Sequence, residues 1–247
     1  MERTQPAAKP LFSGPALQRL IWPLVGEQFL AVLTGMMDTV MVSNAGETAV
    51  SAVSLVDSLN VLMINVFAAL AAGGAIVVSQ YLGMKDQKNA NHAAKQLVFI
   101  IAVLGSVLGV VGELGRGRLL HFLFGSIDPV VMTDAEKYFF ITALSYPFIA
   151  VYNAGAAIFR SMGNSKVSLK ASLISNVVNI VGNGICIFGL GWGVVGAAIP
   201  TLISRILGAA ILLVLLRSPM LQIRLTDWKA FQVRPDMIRR ILGIGVP

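Results

Sequence analysis

The stretch Ala171–Ser204, ASLISNVVNIVGNGICIFGLGWGVVGAAIPTLIS, contains no Asp, Glu, Lys or Arg. A helix crosses the apolar core of a bilayer with roughly 20 residues, so this stretch is too long for one crossing. Gly189-Leu190-Gly191-Trp192-Gly193 lies in its middle. A glycine-rich run of that kind reads as a tight turn. Two membrane helices are therefore predicted, Val167–Phe188 and Val194–Leu216, joined by the turn.

Outward from this pair the same pattern repeats. Ser58–Met84, Gln96–Gly112 and Tyr138–Phe159 are also free of charge. They predict spans over Ala49–Tyr81, Ala93–Leu114 and Thr133–Phe159, and Leu20–Val42 completes a set of six. The second is long enough to extend beyond the lipid. Composition agrees, with 56% hydrophobic and 13% charged residues, where a soluble domain carries about 25% charged. The expected fold class is all-α, a polytopic helical bundle in the membrane. Residues 1–217 would form a six-helix lobe, with Met1–Arg19 as a polar, basic cytoplasmic tail. Residues 218–240 would form an amphipathic linker on the inner leaflet, since Leu221, Ile223, Leu225, Trp228 and Phe231 alternate there with basic residues. Residues 241–247 would open a seventh helix that is cut short, suggesting a fragment, a split gene or a truncated product.

Lysine and arginine set the orientation. Arg3, Lys9, Arg19, Lys85, Lys88, Lys95, Arg160, Lys166, Lys170, Arg217, Arg224, Lys229, Arg234, Arg239 and Arg240 fall on one side of the six spans. Arg116 and Arg118 fall in the loops of the other side, with Lys137 just inside the fourth span. The rule puts the N-terminus in the cytoplasm. It also accounts for the net charge of +7 as helix-end cations, so nucleic acid is not expected as a partner. A single cysteine, Cys186, excludes an intrachain disulfide framework and is expected to be a small packing residue. Enzymatic chemistry is not expected. HExxH, CxxC and Gly-x-Ser-x-Gly patterns are absent, as are a voltage-sensor arginine repeat and a TVGYG filter.

Polar residues within the spans carry the candidate chemistry. Asp38 lies toward the outer end of the first. A charged residue at a membrane helix centre costs about 2.5–3.5 kcal/mol on insertion scales and typically faces a bundle interior or cavity. It reads either as a proton or cation site or as a structural acid paired with polar neighbours. Asn176, Asn179 and Asn183 fall within about 60° of arc on one face of the fifth span. They read as interhelical hydrogen bonding or, with Asp38, as an oxygen-rich pocket for a hard cation. In the sixth span Pro200 has no N–H, which frees the carbonyl of Gly196, and Thr201 adds a hydroxyl one turn from Ala197. Arg205 is expected to bond a neighbouring helix or to reach inward to the interface. Pro23 is either a bend in the first span or the mark of its start. Glu27, toward the inner side, and Asp57, toward the outer side, line a cavity or pair locally.

The order of these features resembles the multidrug and toxic compound extrusion (MATE) family. The first span, IWPLVGEQFLAVLTGMMDTVMVSNAG, is similar to the family's opening helix, with its bend proline at Pro23 and its aspartate at Asp38. AGGAIVVSQYLGMKD resembles the end of the second helix. FRSMGNSK resembles the loop after the fourth, with Gly163-Asn164 where Gly-Asp is frequent. GLGWGVVGAAIPTLISR resembles the connection from the fifth to the sixth.

The resemblance implies one lobe of a two-lobe, twelve-helix transporter with the substrate cavity between lobes. It implies a cation-coupled antiporter exporting amphipathic or cationic organic compounds from the cell membrane. By motif it places a cation site on Asp38, Asn179, Asn183, Ala197 and Thr201. Asn183 stands where relatives carry a second carboxylate, leaving one negative charge and at most one H⁺ or Na⁺. No cofactor beyond that coupling ion is implied. The expected partners are membrane lipid, a small organic substrate and a separate C-terminal half or a second copy. The rival readings are a lipid-linked oligosaccharide flippase of the same superfamily and a truncated product that transports nothing.

Overall fold

A computed structural model describes residues 14–125, 127–226, 228 and 231–245. Met1–Ser13 of the expected tail, and Val246 and Pro247, lie outside the described residues. The described chain folds into eight α-helices: α1 Gly14–Ser43, α2 Glu47–Gly83, α3 Gln87–Phe124, α4 Pro129–Leu144, α5 Tyr146–Ser161, α6 Ser165–Asn183, α7 Gly193–Leu215 and α8 Pro235–Gly245. Helices α1, α2, α3, α7 and α6, with its extension to Gly189, are each long and apolar enough to cross a membrane. The bent pair α4 and α5 is long and apolar enough only when taken together, which makes up to six crossings among the described residues.

Local chemistry sets most of the ends. Asp86 caps α3, its carboxylate accepting from the Asn89 backbone N–H at 3.1 Å and the Asn89 amide at 2.6 Å. These donors hold the Asp86 carboxyl below its ordinary value. Asp128 caps α4 by accepting from Val130 N–H at 2.7 Å, and Pro129 takes the first helical position, where no N–H is needed. The predicted turn between the fifth and sixth spans is present at 190–192. Gly191 (φ 65°) and Gly193 (φ 55°) supply the left-handed backbone there. Before it, Gly184–Gly189 winds as a π-helix that carries Cys186.

The apolar span of α1 begins at Leu20, as expected, while the helix itself runs back to Gly14, which makes Pro23 an interior proline and not the mark of a helix start. Four expectations need correction. The third span continues to Phe124, which puts Arg116 and Arg118 on helix rather than in a loop. There Arg116 lies 5.1 Å above the Phe140 ring. The fourth span is not one helix, because α4 and α5 meet at 45° about Ser145. Pro147 has no N–H for the carbonyl of Ala143, which breaks the helical ladder at that level. Finally, α8 begins at Pro235 rather than Ile241. Ile223 and Leu225 of the expected interfacial linker are buried in the protein core, so they have no lipid to contact.

The core lies between α2, α3, α4, α5 and α7, with Phe67, Leu97, Ile101, Phe139, Ile158 and Leu212 fully buried or nearly so. Small residues let the backbones approach. A Cβ on Gly105 would come within 2.9 Å of both Ala150 Cβ and the Tyr146 carbonyl, so α3 and α5 touch only because this side chain is absent. Helix α1 is peripheral and presents Trp22, Phe29, Met36 and Val40 outward. Its other face packs chiefly on α6, and that contact positions the site.

Candidate functional site

Asp38 lies five residues before the end of α1 and turns toward α6. The amide of Asn183 donates to Asp38 Oδ1 at 2.6 Å, and the same amide lies 3.4 Å from Asn179 Oδ1. Asn179 in turn donates to Thr201 Oγ at 3.0 Å, and Thr201 donates to the carbonyl of Ala197 at 2.9 Å. All five residues implied by the family resemblance are therefore joined in one hydrogen-bonded chain across α1, α6 and α7. Asn179 and Asn183 are one turn apart on α6 and both are buried, as a polar stripe facing a neighbouring helix must be.

Gly182 explains why α7 comes close enough. A Cβ there would meet Pro200 Cβ at 2.7 Å. The glycine lets α6 and α7 cross at the level where the Gly196 carbonyl has lost its helical donor, bringing Thr201 into reach of Asn179. Oxygen is the common chemistry of the site: a carboxylate, two amide carbonyls, a hydroxyl and a backbone carbonyl. Asn183 Oδ1 is buried without a hydrogen-bond partner, and Asp38 Oδ2 accepts nothing from the described residues. Among those residues, no group of three or more His, Cys, Asp or Glu comes together. The arrangement suits one proton or one monovalent cation, not a multi-carboxylate cage.

Asn176 is not drawn into this chain. Its amide lies 3.5 Å from Ser172 Oγ on its own helix. Glu27 pairs locally, toward the inner half of α1. It accepts from Tyr152 OH at 3.0 Å and Ser168 Oγ at 3.2 Å, and Arg160 lies 3.6 Å away. Asp57 accepts from Asn60 at 3.1 Å and Tyr138 OH at 3.2 Å, both on Oδ1. Arg205 reaches a neighbouring helix, as expected, donating to Ser145 Oγ at 2.6 Å. It is within electrostatic range of Asp38 and Asp57 but forms an ion pair with neither.

Sequence reasoning did not single out Asn60, Tyr138, Tyr146, Tyr152 or Ser168. Their signal was present: each is a hydrogen-bonding side chain inside or beside an apolar block, where such groups need partners.

The MatE family model matches residues 23–185. A transporter of uncharacterized function from Bacillus subtilis, YisQ, is 30% identical over 97% of this chain and 53% of its own length. Multidrug export protein MepA of Staphylococcus saprophyticus is 25% identical over 91% of this chain and 49% of its own length. An outward-facing multidrug resistance MATE transporter superposes with a TM-score of 0.86 at 24% identity, covering 94% of this chain and 51% of the other. A MOP superfamily transporter from Pyrococcus furiosus superposes at 0.87 and 23% identity, over 94% of this chain and 51% of the other. The chain thus spans about half the length of the curated relatives it matches. The apolar helices and the family match agree, and this multi-pass membrane protein belongs to the MATE family.

Proposed function

We propose that this chain forms one lobe of a cation-coupled antiporter that exports amphipathic, often cationic, organic compounds, and that Asp38 binds the coupling ion, H⁺ or Na⁺. The observation that carries the reading is the Asp38 carboxylate, which leans on an uncharged amide and has no Lys or Arg in ion-pair range among the described residues. A lone negative charge in a membrane bundle is costly, and a cation arriving from solution relieves that cost. Asn183, in place of a second carboxylate, limits the site to one positive charge. Relatives described as multidrug export and multidrug resistance proteins support the substrate class.

The second wall of a substrate cavity would come from a further half, as a continuation, a separate chain or a second copy. The Lys and Arg bias supports an N-terminus in the cytoplasm, and the proposal places the lobe in the cell membrane. The flippase reading is less well served, because it calls for basic groups free to line a cavity. Arg205 is bound to Ser145 and Lys137 is paired with Asp134 at 3.2 Å.

The test is dye export from cells expressing the full-length protein. Asp38→Asn keeps an acceptor for Asn183 and removes the charge. Export of a fluorescent cationic dye is expected to fall to that of cells without the protein, whereas unchanged export removes Asp38 from the mechanism.

A further inference from the structure

Away from the Asp38 site, a second carboxylate lies among uncharged partners. Asp57 and Asn60 are one turn apart on α2 and hold the two halves of the broken span. Tyr138 of α4 donates to Asp57 Oδ1 at 3.2 Å. Tyr146, the first residue of α5, donates to Asn60 Oδ1 at 3.1 Å, and Asn60 donates to Asp57 Oδ1 at 3.1 Å. The bend at Ser145 is thus gripped on both sides from one turn of α2. Arg205 of α7 grips its pivot through Ser145 Oγ at 2.6 Å.

Both donors converge on Oδ1 of Asp57, and Oδ2 accepts nothing from the described residues. Among those residues no Lys, Arg or His lies within ion-pair distance of this carboxylate. The charged and titratable groups that face the cluster are Tyr138 of α4, Tyr146 of α5, Arg205 of α7 and Asp38 of α1, with Glu113 of α3 in electrostatic range of Tyr146.

We propose that Asp57 is a second proton-binding carboxylate of this lobe, and that its proton sets how tightly α4 and α5 are held to α2 across the Ser145 bend. A proton fits better than a metal cation. A hard cation needs several oxygen ligands, and the neighbouring oxygens of Asn60, Tyr138 and Ser145 are already engaged in hydrogen bonds. The step is a simple proton transfer: H⁺ from solvent bonds to Oδ2, the carboxylate becomes a neutral acid, and no other bond is made or broken. Hydrogen bonds to a charged acceptor are roughly twice as strong as neutral ones. Protonation therefore weakens the grip of Tyr138 and Asn60 on Oδ1, and with Asn60 the hold on Tyr146. Release of the charge slackens both sides of the bend together.

Infrared difference spectroscopy on the reconstituted full-length protein tests this across a pH titration, without any transported substrate, so its failure is distinct from failure of the export reading. Wild type, D57N, D38N and Y138F are compared. Asparagine at 57 keeps an oxygen for both donors, so D57N retains the fold. The protonated-carboxyl signal is expected to lose one component in D57N that persists in D38N. A tyrosine-ring band is expected to shift with that component in wild type and not in Y138F. A D57N spectrum superimposable on wild type overturns the proton site. A carboxyl component lost in D57N with no accompanying tyrosine shift in wild type overturns its link to the bend.

Discussion

Helix α1 carries two carboxylates, Glu27 and Asp38, and the protein treats them differently. Their spacing of eleven residues is about three helical turns, so both lie on nearly the same face, about 16 Å apart. That face packs chiefly on α6, where Asp38 finds its partner, while Glu27 finds partners on both α5 and α6. Glu27 meets two hydroxyls and a guanidinium, Tyr152, Ser168 and Arg160. Asp38 meets the Asn183 amide, and the chain of contacts beyond it is uncharged throughout. Glu27 is compensated by a cation built into the protein. Asp38 has no such partner among the described residues and, on the proposed reading, takes one from outside. On that reading the contrast separates an anchor from a binding site on one helix, with Pro23 four residues before the anchor.

The sharpest way to break the comparison is to give Asp38 a resident cation. Asn183→Lys places an ammonium where the amide now donates, making the outer carboxylate resemble the inner one. Gradient-driven dye efflux in proteoliposomes is expected to fall about 100-fold, within the usual range of coupling energies. Efflux near the wild-type rate would mean that Asp38 does not need to exchange its cation. A milder change is Thr201→Val, which removes the hydroxyl between Asn179 and the Ala197 carbonyl. Leaving the buried Asn179 donor unpaired costs about 1–3 kcal/mol. Apparent affinity for the coupling ion is expected to drop about tenfold in a titration of efflux rate against ion concentration.

Glu27→Gln sharpens the other side. It leaves Arg160 without its carboxylate in a setting where the two side chains are 28% and 13% exposed. Stability is expected to fall by about 1–3 kcal/mol, less than for a fully buried pair, seen as a lower midpoint in thermal unfolding of the detergent-solubilised protein. Ion coupling per folded molecule should persist. The smallest effect is at Asp86, outside the membrane. Its carboxyl is held below the ordinary value by Asn89, so its contribution is present above the unfolded value and lost as pH falls through the lower folded one. Asp86→Ala should speed amide exchange in the first turn of α3 at neutral pH and converge with wild type in strong acid.

Much of this was legible in the sequence, for physical reasons that also mark where legibility ends. Charge-free blocks are visible because lipid excludes charge, so six crossings could be counted. Asp38 and the Asn179–Asn183 stripe are visible because polar groups in such blocks stand out and helical periodicity aligns them. The break at Ser145 is hidden in the sequence, since Tyr138–Phe159 is free of charge throughout and Pro147 alone does not tell a kink from a full break. Arg116 and Arg118 were misread as loop because a helix leaving the membrane loses its apolar signal while keeping its hydrogen bonds. Ile223 and Leu225 looked interfacial because a short mixed segment has the same pattern whether it meets lipid or protein. The partners of Glu27 could not be foreseen, as Tyr152, Arg160 and Ser168 lie far along the chain and only packing brings them in.

The most direct measurement of the central claim is ion-gradient-driven dye efflux by the full-length protein in proteoliposomes, with D38N set beside E27Q. The account predicts that D38N loses all acceleration by the gradient, while E27Q, corrected for folded protein, keeps it. Gradient-driven efflux in D38N, or its equal loss in E27Q, would contradict the distinction between an externally compensated Asp38 and an internally compensated Glu27.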